Sequence, residues 1–190
     1  NMNRVFPGDP DGTITQIIAD FFSRTLLPMA DVVVDIHSGG KTMEFLPFGA
    51  AHILDDKSQQ ARCVSAVEAF NAPYTLMLLE PDAVHLYDTA AENQGKVFVS
   101  TELGGGGSAS ATSVHIARRG ISNVLKHAGI LAGDVERGAS VNLDTMNPEC
   151  FITSEHRGLI EMRHDLGAKI NAGDILAVIH DTDRTGTAPV

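Results

Sequence analysis

Apolar residues recur at helical spacing over residues 13–27, where Ile14, Ile17, Ile18, Phe21, Phe22 and Leu26 fall on one side. Thr13 is placed to cap that helix and Pro28 to stop it. The β-branched run at residues 30–37 changes the period and predicts a buried parallel strand closed by Ser38-Gly39-Gly40. Residues 42–54, broken by Pro47 and Gly49, suit one or two short strands. A helix over 57–71, a buried strand over 75–79, a loop with a short helix over 82–95, a strand over 97–103 and a long amphipathic helix over 111–131 follow. This alternation predicts an α/β fold, a doubly wound, mostly parallel sheet, in which function collects beyond the carboxyl ends of the strands.

From about Asp134 the pattern shifts to short apolar runs at 158–162 and 175–179 joined by glycine-containing turns. The expected division is an α/β domain over residues 1–135 and a small C-terminal β domain over 136–190.

Composition narrows the class. Of 190 residues, 43% are hydrophobic and 20% charged, enough for a packed core and too ordered a mixture for a disordered chain. Asp and Glu total 24 against 14 Lys and Arg, a net charge of −10, the wrong sign for a nucleic-acid surface. No apolar run approaches the roughly 18 residues of a membrane span, and the polar, Gly/Pro-rich start does not read as a signal peptide. Cys63 and Cys150 stand far apart, outside any C-x-x-C spacing, so a disulfide framework and a thiolate zinc knot are both unsupported. A cytoplasmic protein is expected.

Three stretches carry chemistry. In Asp35-Ile36-His37-Ser38-Gly39-Gly40, residues two apart in a strand share a face, so Asp35 and His37 project together. A carboxylate behind an imidazole fixes its tautomer and raises its basicity, as behind a metal-bound histidine; the bland alternative is a strand-end histidine bonded to a turn. In Thr101-Glu102-Leu103-Gly104-Gly105-Gly106-Gly107, a strand-end Glu can hold water and move its proton, or simply be solvated. No Lys-Ser or Lys-Thr follows these glycines, which excludes a Walker A loop. Asn3-Arg4-Val5-Phe6-Pro7-Gly8 offers a guanidinium fork suited to a carboxylate. His85-Leu86-Tyr87-Asp88 has the form of half a metal motif, a spacing that also arises by chance. His115 and His127 are expected on the surface of the long helix, and His156, His164 and His180 in the β tail.

Taken in order, Asn-Arg-x-Phe-Pro-Gly, Asp-x-His-Ser-Gly-Gly and Thr-Glu-Leu-Gly-Gly-Gly followed by a β tail resemble the succinylglutamate desuccinylase/aspartoacylase family. The resemblance runs from residue 1 to about residue 180. It implies a zinc carboxypeptidase-type sheet and a zinc-dependent amidohydrolase acting on a small N-acyl amino acid. His37 would be one of three zinc ligands, Asn3 and Arg4 would grip the substrate carboxylate, and Glu102 would be the general acid/base. The family's other two ligands belong to an H-x-x-E motif upstream of the Asn-Arg pair, and no H-x-x-E occurs in these residues. An active parent enzyme with an incomplete site in this stretch is therefore expected. Members that bind acidic side chains use an additional Arg shortly before the catalytic Glu; residues 81–101 contain no Arg and only Lys96, beside Glu80, Asp82, Asp88 and Glu92. The expected amino-acid moiety is neutral or cationic.

Two other functions fit parts of the chain: a zinc carboxypeptidase acting on peptides, and a non-catalytic barrel-sandwich module suggested by the tail. Carrier modules modify a Lys at a hairpin tip within Met-Lys or Asp-Lys, whereas the tail's only Lys is Lys169, following Ala168. The tail is expected to flank the cleft or to mediate assembly of a homo-oligomer.

Overall fold

The computed structural model describes residues 1–79, 84–143, 150–184, 186 and 188–190. They fall into two compact units, Asn1–Met146 and Asn147–Val190. In the first, a 3-10 turn at Met2–Arg4 precedes helix α1 (Ile14–Phe21), whose Thr13 N–H and hydroxyl both donate to Gln16 Oε1, at 2.9 and 2.8 Å. The helix does not stop before Pro28. A π turn at Phe22–Leu26 leads into α2 (Leu27–Met29), and Leu27 N–H donates five residues back to Phe22 C=O. Pro28 has no N–H to continue the ladder, and Ser23 C=O, five residues back, accepts instead from Gln94 Nε2 at 3.0 Å.

The expected strand over 30–37 shortens to β1 (Val32–Val34). Strand β2 (Phe48–His52) and helix α3 (Lys57–Phe70) follow, the helix capped by the Asp56 carboxylate and closed by Asn71 in the left-handed region. Then come β3 (Tyr74–Leu78), α4 (Tyr87–Glu92), β4 (Val97–Glu102), α5 (Ala111–His127) and β5 (Val141–Leu143). The sheet order is β1-β4-β2-β3-β5, with β2–β4 the antiparallel pairing in an otherwise parallel sheet. Strand β5, not foreseen in the sequence, pairs with β3 and belongs to the first unit.

Alternation along β4 loads both faces of the sheet. Val97 and Val99 pack with Cys63, Val67, Phe70, Ile116 and Val124 of α3 and α5, whereas Phe98 packs with Leu27, Val33 and Ala91 on the other face. In the second unit, β6 (Leu159–Met162) pairs antiparallel with β7 (Ala177–His180), and Ile179 exchanges both backbone bonds with Val190, at 2.7 and 3.1 Å. No helix among the described residues is long and apolar enough to cross a membrane. Glu80 and Asp82, two of the acidic residues named above, lie outside the described residues.

Helices α3 and α5 meet at Gly120, where an added Cβ would lie 2.3 Å from Cζ of the fully buried Phe70 ring. Helix propensity alone makes Gly120→Ala stabilising by up to about 1 kcal/mol, but overpacking a close-packed core costs about 1–3 kcal/mol. A net loss of stability is expected in denaturant unfolding; a gain would show that the Phe70 ring can yield.

Candidate active site

Strands β1 and β4 run parallel in the register Val33↔Phe98 and Val34↔Val99. The face carrying Val33 and Phe98 therefore carries Asp35 and His37 at the end of one strand and Glu102 at the end of the other. Beyond Val34 the ladder changes character. Asp35 N–H still donates to Val99 C=O at 2.9 Å, and Leu103 N–H to His37 C=O at 2.9 Å. Between them the Thr101 hydroxyl accepts from His37 N–H at 3.1 Å and donates to Asp35 C=O at 2.7 Å.

The loops leaving the two strands are laced together. Gly39 N–H donates to Gly104 C=O at 3.0 Å, Gly106 N–H to Met43 C=O at 3.0 Å, and Gly107 N–H to Gly40 C=O at 2.7 Å. The backbones approach so closely that a Cβ on Gly105 would lie 2.0 Å from the Met43 carbonyl oxygen, so a side chain there would force the loops apart.

The His37 imidazole is exposed, with its Nδ1 3.4 Å from Asp35 Oδ2. Burial pushes the Asp35 carboxyl above its ordinary range; His37 partly offsets this, while Asp88 adds to it. Burial also raises Glu102, His37 pulls it down and Asp35 pushes it up. Oε2 of Glu102 is buried with no hydrogen-bond partner among the described residues. A buried carboxylate oxygen needs a donor, such as water or a bound molecule.

Tyr87, at the start of α4, lies across this face. Its ring contacts Phe6, Phe22 and Phe98 at centroid separations of 5.0, 5.8 and 5.4 Å. Burial raises its phenol, and the Asp35 carboxylate raises it further. Tyr87 N–H donates to Asn3 Oδ1 at 2.6 Å, which attaches the Asn3-Arg4 segment to the same face. The exposed Arg4 guanidinium donates to Asn3 C=O and makes no ion pair among the described residues. Helix α4 is itself anchored by buried His52, whose Nδ1 is 2.8 Å from Glu92 Oε1 and whose Nε2 is 3.9 Å from Asp88 Oδ2.

The structure thus brings Asp35, His37 and Glu102 together and joins Asn3 to them through Tyr87. His85-Leu86-Tyr87-Asp88 is divided among three tasks: His85 bonds Phe6, Tyr87 bonds Asn3 and Asp88 faces His52. Among the described residues no three His, Cys, Asp or Glu side chains are grouped to hold a metal. His37, with Asp35 behind Nδ1 and Nε2 left over, has the form of one metal ligand and not of a complete set. The roles of Thr101 and Tyr87 are not legible in the sequence, because their partners lie 64 to 84 residues away and follow no periodicity.

A model of the succinylglutamate desuccinylase/aspartoacylase catalytic domain matches residues 1–128. The chain belongs to this family. It is 48% identical over 192 residues to an N-alpha-acetyl-L-2,4-diaminobutyric acid deacetylase of Halomonas elongata, covering 100% of this chain and 56% of the relative. A product-bound structure of the ectoine utilization protein EutE (DoeB) from Ruegeria pomeroyi shares 59% identity with a TM-score of 0.95, over 100% of this chain and 58% of that one. A crystal structure of a succinylglutamate desuccinylase from a Silicibacter species shares 57% with a TM-score of 0.94, over 100% and 57%. The chain therefore spans a little over half the length of these relatives.

The raised Glu102 carboxyl has a consequence for stability. A folded-state pKa above the unfolded one gives a contribution fully present below the ordinary 4.5 and lost as pH rises through the folded value. Glu102→Gln removes this dependence, so the variant's unfolding free energy should gain on the parent's as pH rises above 4.5. Chemical denaturation across pH measures it; parallel curves would show that burial does not perturb Glu102.

Proposed function

We propose that the whole protein is a zinc-dependent amidohydrolase that removes the acetyl group from N-alpha-acetyl-L-2,4-diaminobutyrate, in ectoine degradation. The observation that carries this reading is the buried, partnerless Glu102 Oε2 on the strand beside His37 and Asp35. The kinship to a deacetylase of that substrate supports the choice of acyl amino acid. The described residues supply one zinc ligand, His37, and the reading assigns the other two to residues outside this stretch. Zinc, when bound, supplies Lewis acidity to the amide carbonyl and to the attacking water.

The remaining work falls to residues of this chain. Asp35 accepts from His37 Nδ1–H and so fixes Nε2 as the free nitrogen. The Arg4 fork and the Asn3 amide hold the substrate carboxylate. Glu102 Oε2 takes the proton of the attacking water and returns it to the departing amine, a role suited to a carboxyl that burial raises above its ordinary range. Neither α4 nor β4 carries a cation to compete with the side-chain ammonium of the substrate, and Lys96 Nζ, between them, is directed to Pro28 C=O. A cytoplasmic location fits free Cys63 and Cys150.

Turnover and zinc content of the whole protein test this together. N-alpha-acetyl-diaminobutyrate should be cleaved faster than N-acetylaspartate. His37→Ala should lose zinc, and Glu102→Gln should keep zinc while kcat falls by about 10²–10⁴. A preference for N-acetylaspartate, or full turnover in Glu102→Gln, would overturn the reading.

A further inference from the structure

The Asn3-Arg4 segment is held by a second, separate contact. His85 is a non-glycine residue in the left-handed region, with φ of 74°, a conformation that costs an L residue energy and persists where its surroundings hold it. The holding group is Phe6. Phe6 N–H donates to His85 C=O at 3.2 Å, and His85 Nδ1 lies 2.8 Å from Phe6 C=O. A carbonyl only accepts, so Nδ1 carries the proton, and this bond forms whether or not the ring is charged.

Together with the Tyr87-to-Asn3 bond, residues 85–87 therefore grip the N-terminal segment at Asn3 and at Phe6. Arg4 lies between these two points. Phe6 is 1% exposed and Asn3 partly covered, so within this bracket Arg4 is the exposed side chain. Its backbone is fixed on both sides while its guanidinium faces out, the arrangement a carboxylate-binding fork needs to be held ready before substrate arrives.

We propose that His85 is a positioning residue for substrate binding: its imidazole, by bonding the Phe6 carbonyl, sets the backbone that aims Arg4 and Asn3 at the substrate carboxylate. This rests on the reading of Arg4 as the carboxylate grip. The strained φ and the imidazole bond can be separated. Glycine adopts the left-handed region freely but has no donor. Asparagine tolerates it too, and its amide nitrogen stands one bond beyond Cγ, as Nδ1 does.

The test is steady-state kinetics on the whole protein with N-alpha-acetyl-diaminobutyrate, comparing His85→Gly, His85→Asn and Arg4→Lys, with thermal unfolding as the folding check. His85→Gly should raise KM about tenfold with kcat changed less than about twofold, the signature of lost uniform binding. His85→Asn should bring KM back to within about twofold of the parent. A parental KM in His85→Gly, beside a raised KM in Arg4→Lys, overturns the role of His85 and leaves the grip standing. An unchanged KM in Arg4→Lys overturns the grip and, with it, the role of His85.

Discussion

Where β1 ends at Val34, the fully buried hydroxyl of Thr101 takes over the pairing, accepting from His37 N–H and donating to Asp35 C=O. Asp35, His37 and Glu102 all flank that joint. It lies one residue before Glu102 on β4 and reaches the two residues just beyond β1 that carry the carboxylate and the imidazole. The separation of His37 and Glu102 is thus set by the Thr101 hydroxyl, the two backbone bonds that flank it and the interleaved glycine loops beyond. Removing the hydroxyl would take the partner from a part-buried N–H and a part-buried C=O, at a cost of up to about 1–3 kcal/mol each.

Rigidity at this joint matters because the groups it holds are electrostatically opposed. Two carboxyls, Asp35 and Glu102, are both pushed up by burial, and His37 relieves both. Such a cluster suits a site whose occupants bring positive charge or hydrogen-bond donors, and it disfavours a second anion beside Glu102. The Asn3–Phe6 segment is fixed at a separate point on this face by Tyr87 and His85. The aromatic cluster of Phe6, Phe22, Tyr87 and Phe98 joins that segment to the sheet.

The sequence made legible what depends on local pattern. The α3 and α5 helices, the strands at Tyr74–Leu78 and Val97–Glu102, and the shared face of Asp35 and His37 all follow from periodicity and caps. Three ordered motifs led to the family, which the match over residues 1–128 establishes. What stayed hidden depends on partners far along the chain. Val141–Leu143 is three exposed residues, too short to carry a period, and is a strand only because β3 offers an edge. Pro28 looked like a stop because a π turn leaves no mark in the sequence. Thr101 reads as one more β-branched residue until β1 is laid beside it.

Thr101→Val, which keeps shape and burial but removes the hydroxyl, tests the joint most directly when measured in the whole protein beside Thr101→Ser. If the hydroxyl sets His37 against Glu102, kcat/KM on the acyl amino acid falls about tenfold or more in Thr101→Val and recovers in Thr101→Ser, with both variants folded. Parental kcat/KM in folded Thr101→Val would contradict it.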